Sequence, residues 1–331
     1  MRFSIITATK NNKEGLLRAI ECVRSQTYKN VEHIVVDGGS VDGSTEILRN
    51  FDNPSINSGH RLSAGSTQED TLRQAQGDSL LTTHYTLITI SEPDEGIYDA
   101  INKGIKLATG DVIGLLHSDD LYADENVLEK YARAFASDSG SESGMKKQVD
   151  AVYSDLVYVK KKSGVGSQDS EDDKHTSIHS YNHSSQDYSI IRYWKTHKSV
   201  ISNQSSVKSE NTENRLLVTD DLLKKGWMPP HPTLFIRREI FEKYGLYRTD
   251  LKIAADYEMI LRLLFKHKIT AYYLPLTTYL MQLGGASNKS LTNILLKSKE
   301  DYFSMKKNGI SFPLVTLLNK NLRKLPQFLA R

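Results

Sequence analysis

Short, mainly apolar runs alternate with amphipathic stretches along the first half of the chain. Residues 3–8, 31–36 and 112–116 are runs of the kind that forms strands buried on both faces of a sheet. Between the first two runs, apolar residues recur at helical spacing. They form the stripe that we expect to be buried in the first helix, which is Leu16, Ala19, Ile20 and Val23. The alternation predicts an α/β fold, with a mostly parallel, doubly wound sheet and helices on both faces.

Polar residues ahead of the apolar stripes mark where helices are expected to begin. Asn11, followed three residues later by Glu14, predicts a capping box at the first helix. Further helices are expected to begin near Gly96, to run from Asp124 to Ala136, and to carry Asp256 in a first turn. The stripe behind Asp256 consists of Tyr257, Ile260, Leu261 and Leu264. Because a helix dipole favours negative charge at the amino end, we expect the Asp256 carboxylate to be ionised.

Three polar stretches interrupt this pattern, at residues 54–83, 163–189 and 196–219. The first lacks strand alternation, the second is nearly devoid of aliphatic residues, and the third is similarly polar. Such segments bury too little apolar surface to offset the entropy lost on ordering. We therefore expect them to be disordered or loosely ordered insertions on the surface. Without them, residues 1–285 have the size of one large α/β domain, and residues 286–331 are expected to form a helical tail.

The overall composition is that of an ordinary globular protein. The 331 residues are 25% charged and 38% hydrophobic, and no apolar run approaches the ~20 residues of a membrane-spanning helix. The first residues run directly into a strand pattern, so no signal peptide is expected. The single cysteine, Cys22, excludes an internal disulfide, and its place in the first amphipathic helix predicts a packed thiol. These features predict a cytoplasmic protein.

Positive charge is concentrated in the tail. Residues 297–331 contain eight Lys or Arg against two acidic residues, whereas the first 296 residues have a net charge of −3. Apolar and basic residues alternate here, which suits the anionic inner face of the plasma membrane, although the same stripe could instead pack on the protein or on a partner subunit. The slightly acidic core shows no basic, aromatic-studded strand face, so no nucleic-acid partner is expected. The alternating residues are Phe312, Leu314, Val315, Leu317, Leu318, Lys320, Leu322, Arg323, Lys324, Leu325, Phe328, Leu329 and Arg331.

Two adjacent carboxylates, Asp119 and Asp120, follow the apolar run 112–116 after two intervening residues. In open α/β sheets ligands bind at the carboxyl ends of the strands, and adjacent carboxylates at such a place require a cation. Mg²⁺ and Mn²⁺ bind one or two protein carboxylates together with phosphate oxygens, so the position favours a metal-chelated nucleotide diphosphate. The alternative is that the pair only opens a turn, with Asp120 capping the next helix.

A second cluster, Asp37-Gly38-Gly39, follows the run 31–36. The glycines permit close approach of a ligand, and the carboxylate can accept hydrogen bonds from a base or a ribose. The sequence here lacks the ligand spacing of an EF-hand loop, and the chain has neither a Walker A lysine nor a GxGxxG turn. These patterns argue against a calcium loop, a P-loop NTPase and a dinucleotide dehydrogenase.

Several motifs, taken in order and spacing, carry a resemblance to a known family. Four of them are residues 4–9 (SIITAT), 35–44 (VVDGGSVDGS), 91–104 (SEPDEGIYDAINKG) and 118–120 (SDD). Three more are residues 192–194 (RYW), 227–233 (WMPPHPT) and 255–258 (ADYE). With them the chain resembles the bacterial family-two glycosyltransferases of GT-A fold, and is most similar to those of exopolysaccharide, capsule, O-antigen and colanic acid assembly. The polar insertions depart from the family pattern.

The resemblance implies inverting transfer of a sugar from a nucleotide-diphosphate donor to a glycan or lipid-linked acceptor, assisted by Mg²⁺ or Mn²⁺. It assigns Asp120 to the metal and Asp256 to the general base that deprotonates the acceptor hydroxyl. His231 is expected to contact the diphosphate or the acceptor. The residues expected to bind the donor nucleotide are Thr7, Thr9, Asp37, Asp94, Asn102, Lys103 and Asp119.

Alternatives remain open at some positions and for the function. Asp256 could be only a helix cap, Lys103 a solvated helix residue, and His231 an organiser of its proline-rich loop. A sugar-nucleotide pyrophosphorylase would share the nucleotide-binding sheet, but it should open with a glycine-rich basic loop, and residues 7–12 contain no glycine. A non-catalytic carbohydrate-binding or nucleotide-sugar-binding protein would not need the metal and base aspartates together.

Overall fold

The computed structural model describes residues 1–52, 85–136, 148–161, 188–194, 220–282 and 291–322, and nine strands form one mixed sheet within them. The polar stretches 54–83 and 196–219 lie outside the described residues. So does 163–189, except for its last two residues, which open a strand. Their predicted disorder therefore stays a prediction.

The first half of the sheet is parallel, as the sequence predicts. Its strands are β1 (Phe3–Thr9), β2 (Val31–Asp37), β3 (Tyr85–Ser91) and β4 (Val112–Leu115). They lie in the order β3-β2-β1-β4 with parallel pairing throughout. All four carboxyl ends therefore meet at one edge, where open α/β sheets bind their ligands.

Helices cover both faces of this parallel half. They are α1 (Lys13–Arg24), α2 (Ser44–Asp52), α3 (Ile97–Leu107) and α4 (Val127–Ala136). Successive side chains of a strand point to opposite faces, so β1 contributes to two cores. Phe3 and Ile5 lie in the core that contains α1 and α4, whereas Ile6 and Ala8 lie in the core that contains α3. This arrangement confirms the predicted layers.

The start of α1 corrects the predicted capping box. Asn12, not Asn11, is the cap, and its side-chain oxygen accepts a hydrogen bond from the Gly15 amide at 3.1 Å. Asn11 has a left-handed backbone (φ 50°), and its side-chain oxygen accepts from the Val41 amide at 2.9 Å. The prediction was wrong because Asn11 holds the 37–44 loop, and a local motif cannot reveal that distant partner.

The interior of α1 follows the prediction. The apolar stripe named above is buried along its whole length. Cys22 is buried too, and its sulfur accepts from the Tyr122 amide at 3.2 Å. Burial raises the pKa of the Cys22 thiol to about 12, so the group stays protonated and is a packing residue, as predicted.

The second half of the sheet mixes both strand directions. Its strands are β5 (Asp120–Tyr122), β6 (Ala151–Lys161), β7 (Tyr188–Trp194), β8 (Phe235–Arg237) and β9 (Ala271–Gln282). The order continues as β4-β8-β6-β9-β5, with β7 beside β6. Only β6 and β9 run parallel among these described pairs. Asp120 begins β5, so the alternative that Asp120 caps a helix is wrong.

The remaining elements surround this second half. They are α5 (Asp220–Lys224), a 3₁₀ turn (His231–Thr233), α6 (Arg238–Tyr244), α7 (Ala255–Ile260), α8 (Leu291–Lys307) and α9 (Pro313–Leu322). A π-helical segment, Leu261–Lys266, continues α7, and the predicted stripe behind Asp256 is buried. Among the described residues, no helix is long and apolar enough to cross a bilayer.

The tail is helical as far as it is described, and two polar side chains of α9, Thr316 and Lys320, face the protein. Lys320 forms a buried ion pair with Asp301 of α8 at 2.8 Å, and its ammonium lies 3.2 Å from the centroid of the Tyr257 ring. One turn earlier, the Thr316 hydroxyl donates to the Lys224 carbonyl at 2.7 Å. Lys320 is therefore not one of the exposed basic residues that the sequence pattern predicts. In α9 and the residue before it, the exposed apolar residues are Phe312, Leu314, Val315, Leu318 and Leu322, which we call the outer face of α9.

Candidate active site

Asp37 ends β2 and is fully buried, with three hydroxyl groups around its carboxylate. Ser91 donates to it at 2.7 Å and Thr45 at 3.1 Å. Ser40 donates through its hydroxyl and through its amide, the latter at 3.1 Å. These bonds fix the 37–44 loop beside the carboxyl ends of β1 and β3.

Asp94 lies against this loop from the other side. A Cβ atom at Gly38 would lie 2.1 Å from Asp94 Oδ2, so the approach requires glycine. Lys10 Nζ is 3.9 Å from Asp94 Oδ1, and the Gly96 amide donates to the same oxygen at 3.1 Å. Asp37 and Asp94 therefore both lie next to the Gly38 backbone.

The two threonines of β1 differ in their surroundings. Thr7 is fully buried, and its hydroxyl donates to the Leu116 carbonyl at 2.6 Å and lies 2.8 Å from His33 Nε2. Thr9, opposite Asp37 in the sheet, has a buried hydroxyl without a hydrogen-bond partner in the described part of the chain. Buried polar groups are normally paired, so the Thr9 hydroxyl is available to a ligand, whereas Thr7 supports the strand.

Asp119 and Asp120 differ sharply in exposure. Asp119 is exposed, and its Oδ1 accepts from Asn12 Nδ2 at 2.5 Å. Asp120 is only 3% exposed, and burial, reinforced by the charge of Asp119, raises its pKa to about 8. A carboxyl group in this setting ionises readily only when a cation lies beside it. No cluster of three metal-ligating side chains occurs within the described residues, so a metal here needs further oxygens from a ligand.

Asp256 occupies the first turn of α7, but the cap residue of that helix is Ala254. The alternative that Asp256 is a helix cap is therefore wrong. Asp256 Oδ1 accepts from the Tyr257 amide at 2.7 Å and lies 3.5 Å from the Tyr98 hydroxyl oxygen. The Tyr98 hydroxyl also donates to the Ile253 carbonyl at 2.8 Å, which links α3 to the loop before α7.

Two histidines connect the Asp256 region with the paired aspartates. His231 Nε2 lies 2.8 Å from the Tyr247 hydroxyl oxygen. Burial lowers the pKa of His231, and the negative charge of Asp256 opposes that effect. Burial, together with the charge of the neighbouring His231, lowers the pKa of His117 to about 4. His117 stands just before the 118–120 motif, so these electrostatic effects show that the end of β4, His231 and Asp256 lie near one another.

Asn102 and Lys103 of α3 are both engaged by other protein groups. Asn102 donates to the Tyr247 carbonyl at 2.8 Å and accepts from the Tyr247 amide at 3.0 Å. Lys103 Nζ donates to the Pro93 carbonyl at 2.9 Å and lies 2.9 Å from the Glu92 carboxylate. In the structure these side chains hold Tyr247 and the loop after β3, and their donor contacts stay predictions.

The loop after β1 joins the two parts of the site. Asn11 bonds the 37–44 loop, while Asn12 bonds Asp119 and lies 3.2 Å from the Ser118 hydroxyl oxygen. Sequence reasoning did not identify Asn12, although an Asn-Asn pair ahead of a helix offers two possible caps and was a usable signal. Sequence reasoning also missed Tyr247, whose partner Asn102 is 145 positions away, and Glu300, whose partners are up to 48 positions away. Contacts at such separations produce no periodic pattern in the sequence.

The comparisons with known proteins agree with this geometry. Residues 4–141 match the model of the Glycosyl transferase family 2 domain. An uncharacterised glycosyltransferase of Mycobacterium tuberculosis is 33% identical over 134 residues, which are 40% of this chain and 39% of that protein. A PGL/p-HBAD biosynthesis glycosyltransferase of Mycobacterium bovis is 30% identical over 155 residues, 47% of this chain and 46% of that protein. The chain thus spans less than half the length of these curated relatives.

Solved structures resemble nearly the whole chain in fold. TarS of S. aureus, residues 1–349, covers 98% of this chain and 72% of its own, with a TM-score of 0.53 and 12% identity. The mannosyltransferase PcManGT of Pyrobaculum calidifontis covers 99% of this chain and 73% of its own, with a TM-score of 0.51 and 16% identity. Likeness at such low identity establishes the fold alone. The chain therefore has the GT-A fold, and its residues 4–141 are similar to the glycosyl transferase family 2 domain.

Proposed function

We propose that the protein is an inverting glycosyltransferase that moves a sugar from a nucleotide-diphosphate donor to an acceptor hydroxyl. The observation that carries the proposal is that His231 lies near both Asp256 and His117. His117 in turn precedes the paired aspartates. This proximity supports a candidate base and a candidate metal ligand that serve one site. The related structures solved with UDP, UDP-GlcNAc and GDP-Man support a nucleotide-sugar donor.

On the donor side, the base and ribose lie across the carboxyl ends of β1 to β3. Asp37 and Asp94 both lie next to the Gly38 backbone, and the Thr9 hydroxyl, which has no hydrogen-bond partner among the described residues, lies at the end of the neighbouring strand β1. Asp119 is exposed enough to accept a hydrogen bond from a ribose hydroxyl. Thr7 supports this pocket without contacting the donor, because its hydroxyl already donates to the Leu116 carbonyl.

On the metal side, Asp120 with Asp119 beside it would hold a Mg²⁺ or Mn²⁺ ion, which would supply positive charge for the donor phosphates. The buried Asp120 carboxyl, whose pKa is raised to about 8, fits this role because a cation compensates the charge that burial disfavours. A bound metal of this kind stabilises the negative charge that develops on the departing diphosphate. The related mannosyltransferase solved with Mn²⁺ supports the same choice of ion.

On the acceptor side, Asp256 is the general base. The acceptor oxygen bonds to the anomeric carbon as the bond from that carbon to the diphosphate oxygen breaks, and the hydroxyl proton passes to Asp256. A single displacement of this kind inverts the anomeric configuration. The Tyr257 amide and Tyr98 both contact Oδ1, so Oδ2 is the oxygen that accepts the proton. His231 uses Nε2 towards Tyr247 and offers Nδ1 to the acceptor or the diphosphate.

We further propose a lipid-linked glycan acceptor in the assembly of a cell-surface polysaccharide, with the protein held at the inner face of the membrane. The name of the M. bovis relative, PGL/p-HBAD biosynthesis glycosyltransferase, supports a role in a biosynthetic pathway. The outer face of α9 supports the membrane contact, because exposed Lys306 and Lys307 of α8 precede it and Arg323 and Lys324 follow it in sequence. Apolar surface flanked by cations suits anionic lipids.

Incubation of the protein with a panel of UDP- and GDP-sugars, Mn²⁺ and short glycan acceptors tests the proposal through release of the nucleoside diphosphate. We expect release with at least one donor, and its loss in EDTA. Stabilisation by nucleoside diphosphates without any turnover would instead support a binding protein. Release of pyrophosphate from a nucleoside triphosphate and a sugar phosphate would support a pyrophosphorylase.

A further inference from the structure

Glu300 of α8 is buried, and its carboxylate accepts three backbone hydrogen bonds from the loop that leads into α7. Oε1 accepts from the Lys252 amide, and Oε2 accepts from the amides of Ile253 and Ala254, each at 2.9 Å. The cap residue of α7, Ala254, makes no side-chain cap bond. Glu300 therefore pairs backbone N–H groups at the start of α7 that would otherwise lack a partner.

A second side chain, that of Tyr98, holds the same loop through a backbone carbonyl group. The Tyr98 hydroxyl donates to the Ile253 carbonyl at 2.8 Å, and the Tyr98 ring stacks on Tyr247 with centroids 5.9 Å apart. Ile253 is thus fixed through its amide by Glu300 and through its carbonyl by Tyr98. It stands three residues before Asp256, so the two contacts set where the first turn of α7 begins.

Glu300 is itself held on a rigid element. Its helix is fixed by the buried Asp301–Lys320 ion pair at 2.8 Å, which ties α8 to α9. Asn308 Nδ2 lies 3.4 Å from Glu258 Oε1 and links the far end of α8 directly to α7. Movement of Glu300 away from the 252–254 loop would therefore require movement of the helix pair.

We propose that Glu300 is a positioning residue for sugar transfer, which fixes Asp256 at the acceptor side without touching either substrate. The inference rests on the proposed function, because it requires Asp256 to be the base. Displacement of a reacting group by about 1 Å can cost about 100-fold in rate. Loss of the Glu300 carboxylate leaves up to three amides unpaired in the loop that carries Asp256. The tail helix α8 is in this way part of the catalytic unit.

A double-mutant cycle on the full chain tests the proposal. Glu300→Gln keeps the side-chain volume but turns an NH₂ group towards backbone N–H donors. We expect its single-turnover rate to fall about 10- to 100-fold while donor affinity, measured by titration with UDP and Mn²⁺, stays unchanged. In the Asp256→Asn background the same substitution should cause no further loss, because interacting sites are non-additive. Tyr98→Phe, which removes the bond to Ile253 and keeps the ring, should behave alike.

Glu242→Gln is the matched control, because Glu242 forms an exposed ion pair with Arg238, and this variant should transfer at the wild-type rate. If Glu300→Gln lowered the single-turnover rate by the same factor in the wild-type and Asp256→Asn backgrounds, its role would be purely structural and the proposal would be overturned. A wild-type rate in Glu300→Gln would overturn it as well. If Glu300→Gln does not fold, the Tyr98→Phe cycle decides by the same criteria. A wild-type rate in Asp256→Asn would instead refute the base assignment of the proposed function.

Discussion

Asn102 of α3 holds Tyr247 by both of its backbone groups, donating to the carbonyl at 2.8 Å and accepting from the amide at 3.0 Å across 145 positions of sequence. Tyr247 in turn places its hydroxyl oxygen 2.8 Å from His231 Nε2. Asn102, which the family resemblance assigns to the donor, thus supports His231, which we propose contacts the acceptor or the diphosphate. Helix α3, which packs on the parallel half of the sheet, is thus hydrogen-bonded to the segment that follows α6.

Asp256→Asn should abolish transfer and leave the fold intact. The change removes the proton acceptor while preserving shape, so the single-turnover rate at saturating donor and acceptor should fall by the ~10²–10⁴-fold typical of general base catalysis. Donor and metal binding should be unchanged, because Asp256 lies on the acceptor side. Asp250→Asn, at an exposed carboxylate six positions earlier that pairs with Arg248, is the control. A fall of less than about threefold, far below that range, would exclude Asp256 as the base.

Asp120→Asn should keep the fold but lose metal-dependent donor binding. Neutralising this ligand leaves the donor diphosphate beside the remaining Asp119 carboxylate without a shared cation. Calorimetric titration of UDP and GDP, with Mn²⁺ and with EDTA, measures the effect. Asp119→Asn should weaken binding less, and Asp124→Asn, in a surface pair with Lys130, should not change it. Binding by Asp120→Asn that matches wild type would rule out this metal site.

Acidification should destabilise the protein through His33. The Thr7 hydroxyl donates its one proton to the Leu116 carbonyl, so it accepts from His33 Nε2–H, which leaves Nδ1 to accept from Tyr85. Burial lowers the pKa of this neutral imidazole to about 3, whereas the unfolded chain binds a proton below the usual value of 6.5. Unfolding therefore takes up a proton across this window, and His33 removes up to about 1.4 kcal/mol of stability per pH unit as the pH falls.

Urea unfolding of wild type and His33→Leu at pH 7, 6 and 5 measures this effect. The variant should be less stable at pH 7, because it leaves polar partners unpaired, yet its free energy of unfolding should decline less steeply with acid. Parallel declines in the two proteins would show that His33 does not contribute to the pH dependence.

Polar substitutions on the outer face of α9 should release the protein from anionic vesicles. Leu314 and Leu318 are 63% and 62% exposed, so Leu314→Gln with Leu318→Gln should leave thermal stability nearly unchanged. Each leucine buried in lipid contributes about 1.5–3 kcal/mol, so flotation with vesicles should fall strongly. Ile190→Gln with Ile191→Gln, an exposed apolar pair on β7, is the control. Unchanged flotation, or loss of a dimer in sedimentation, would assign the face to a protein partner instead.

The sequence by itself determined the first half of the molecule. Within the described residues up to 136, each strand and helix apart from the three-residue β5 is a contiguous segment whose hydrophobic period matches its structure. The parallel order places Asp37 at the end of β2, and Asp94 and Asp119 in the loops after β3 and β4. These features depend on residues that are close together in sequence, so a sequence pattern can predict them. The family match over residues 4–141 falls on this same half.

Only the tertiary structure decided the rest. It placed Asp120 in a three-residue strand paired with β9, turned Lys320 inward onto Asp301, and brought Glu300 to the loop before α7. Each of these depends on a partner distant in sequence, whose approach is set by the packing of whole elements. A three-residue strand is too short to show a hydrophobic period. The sequence of a helix shows which of its faces are polar, but it does not show which face another helix will cover. The positions of these side chains therefore follow from the assembled fold.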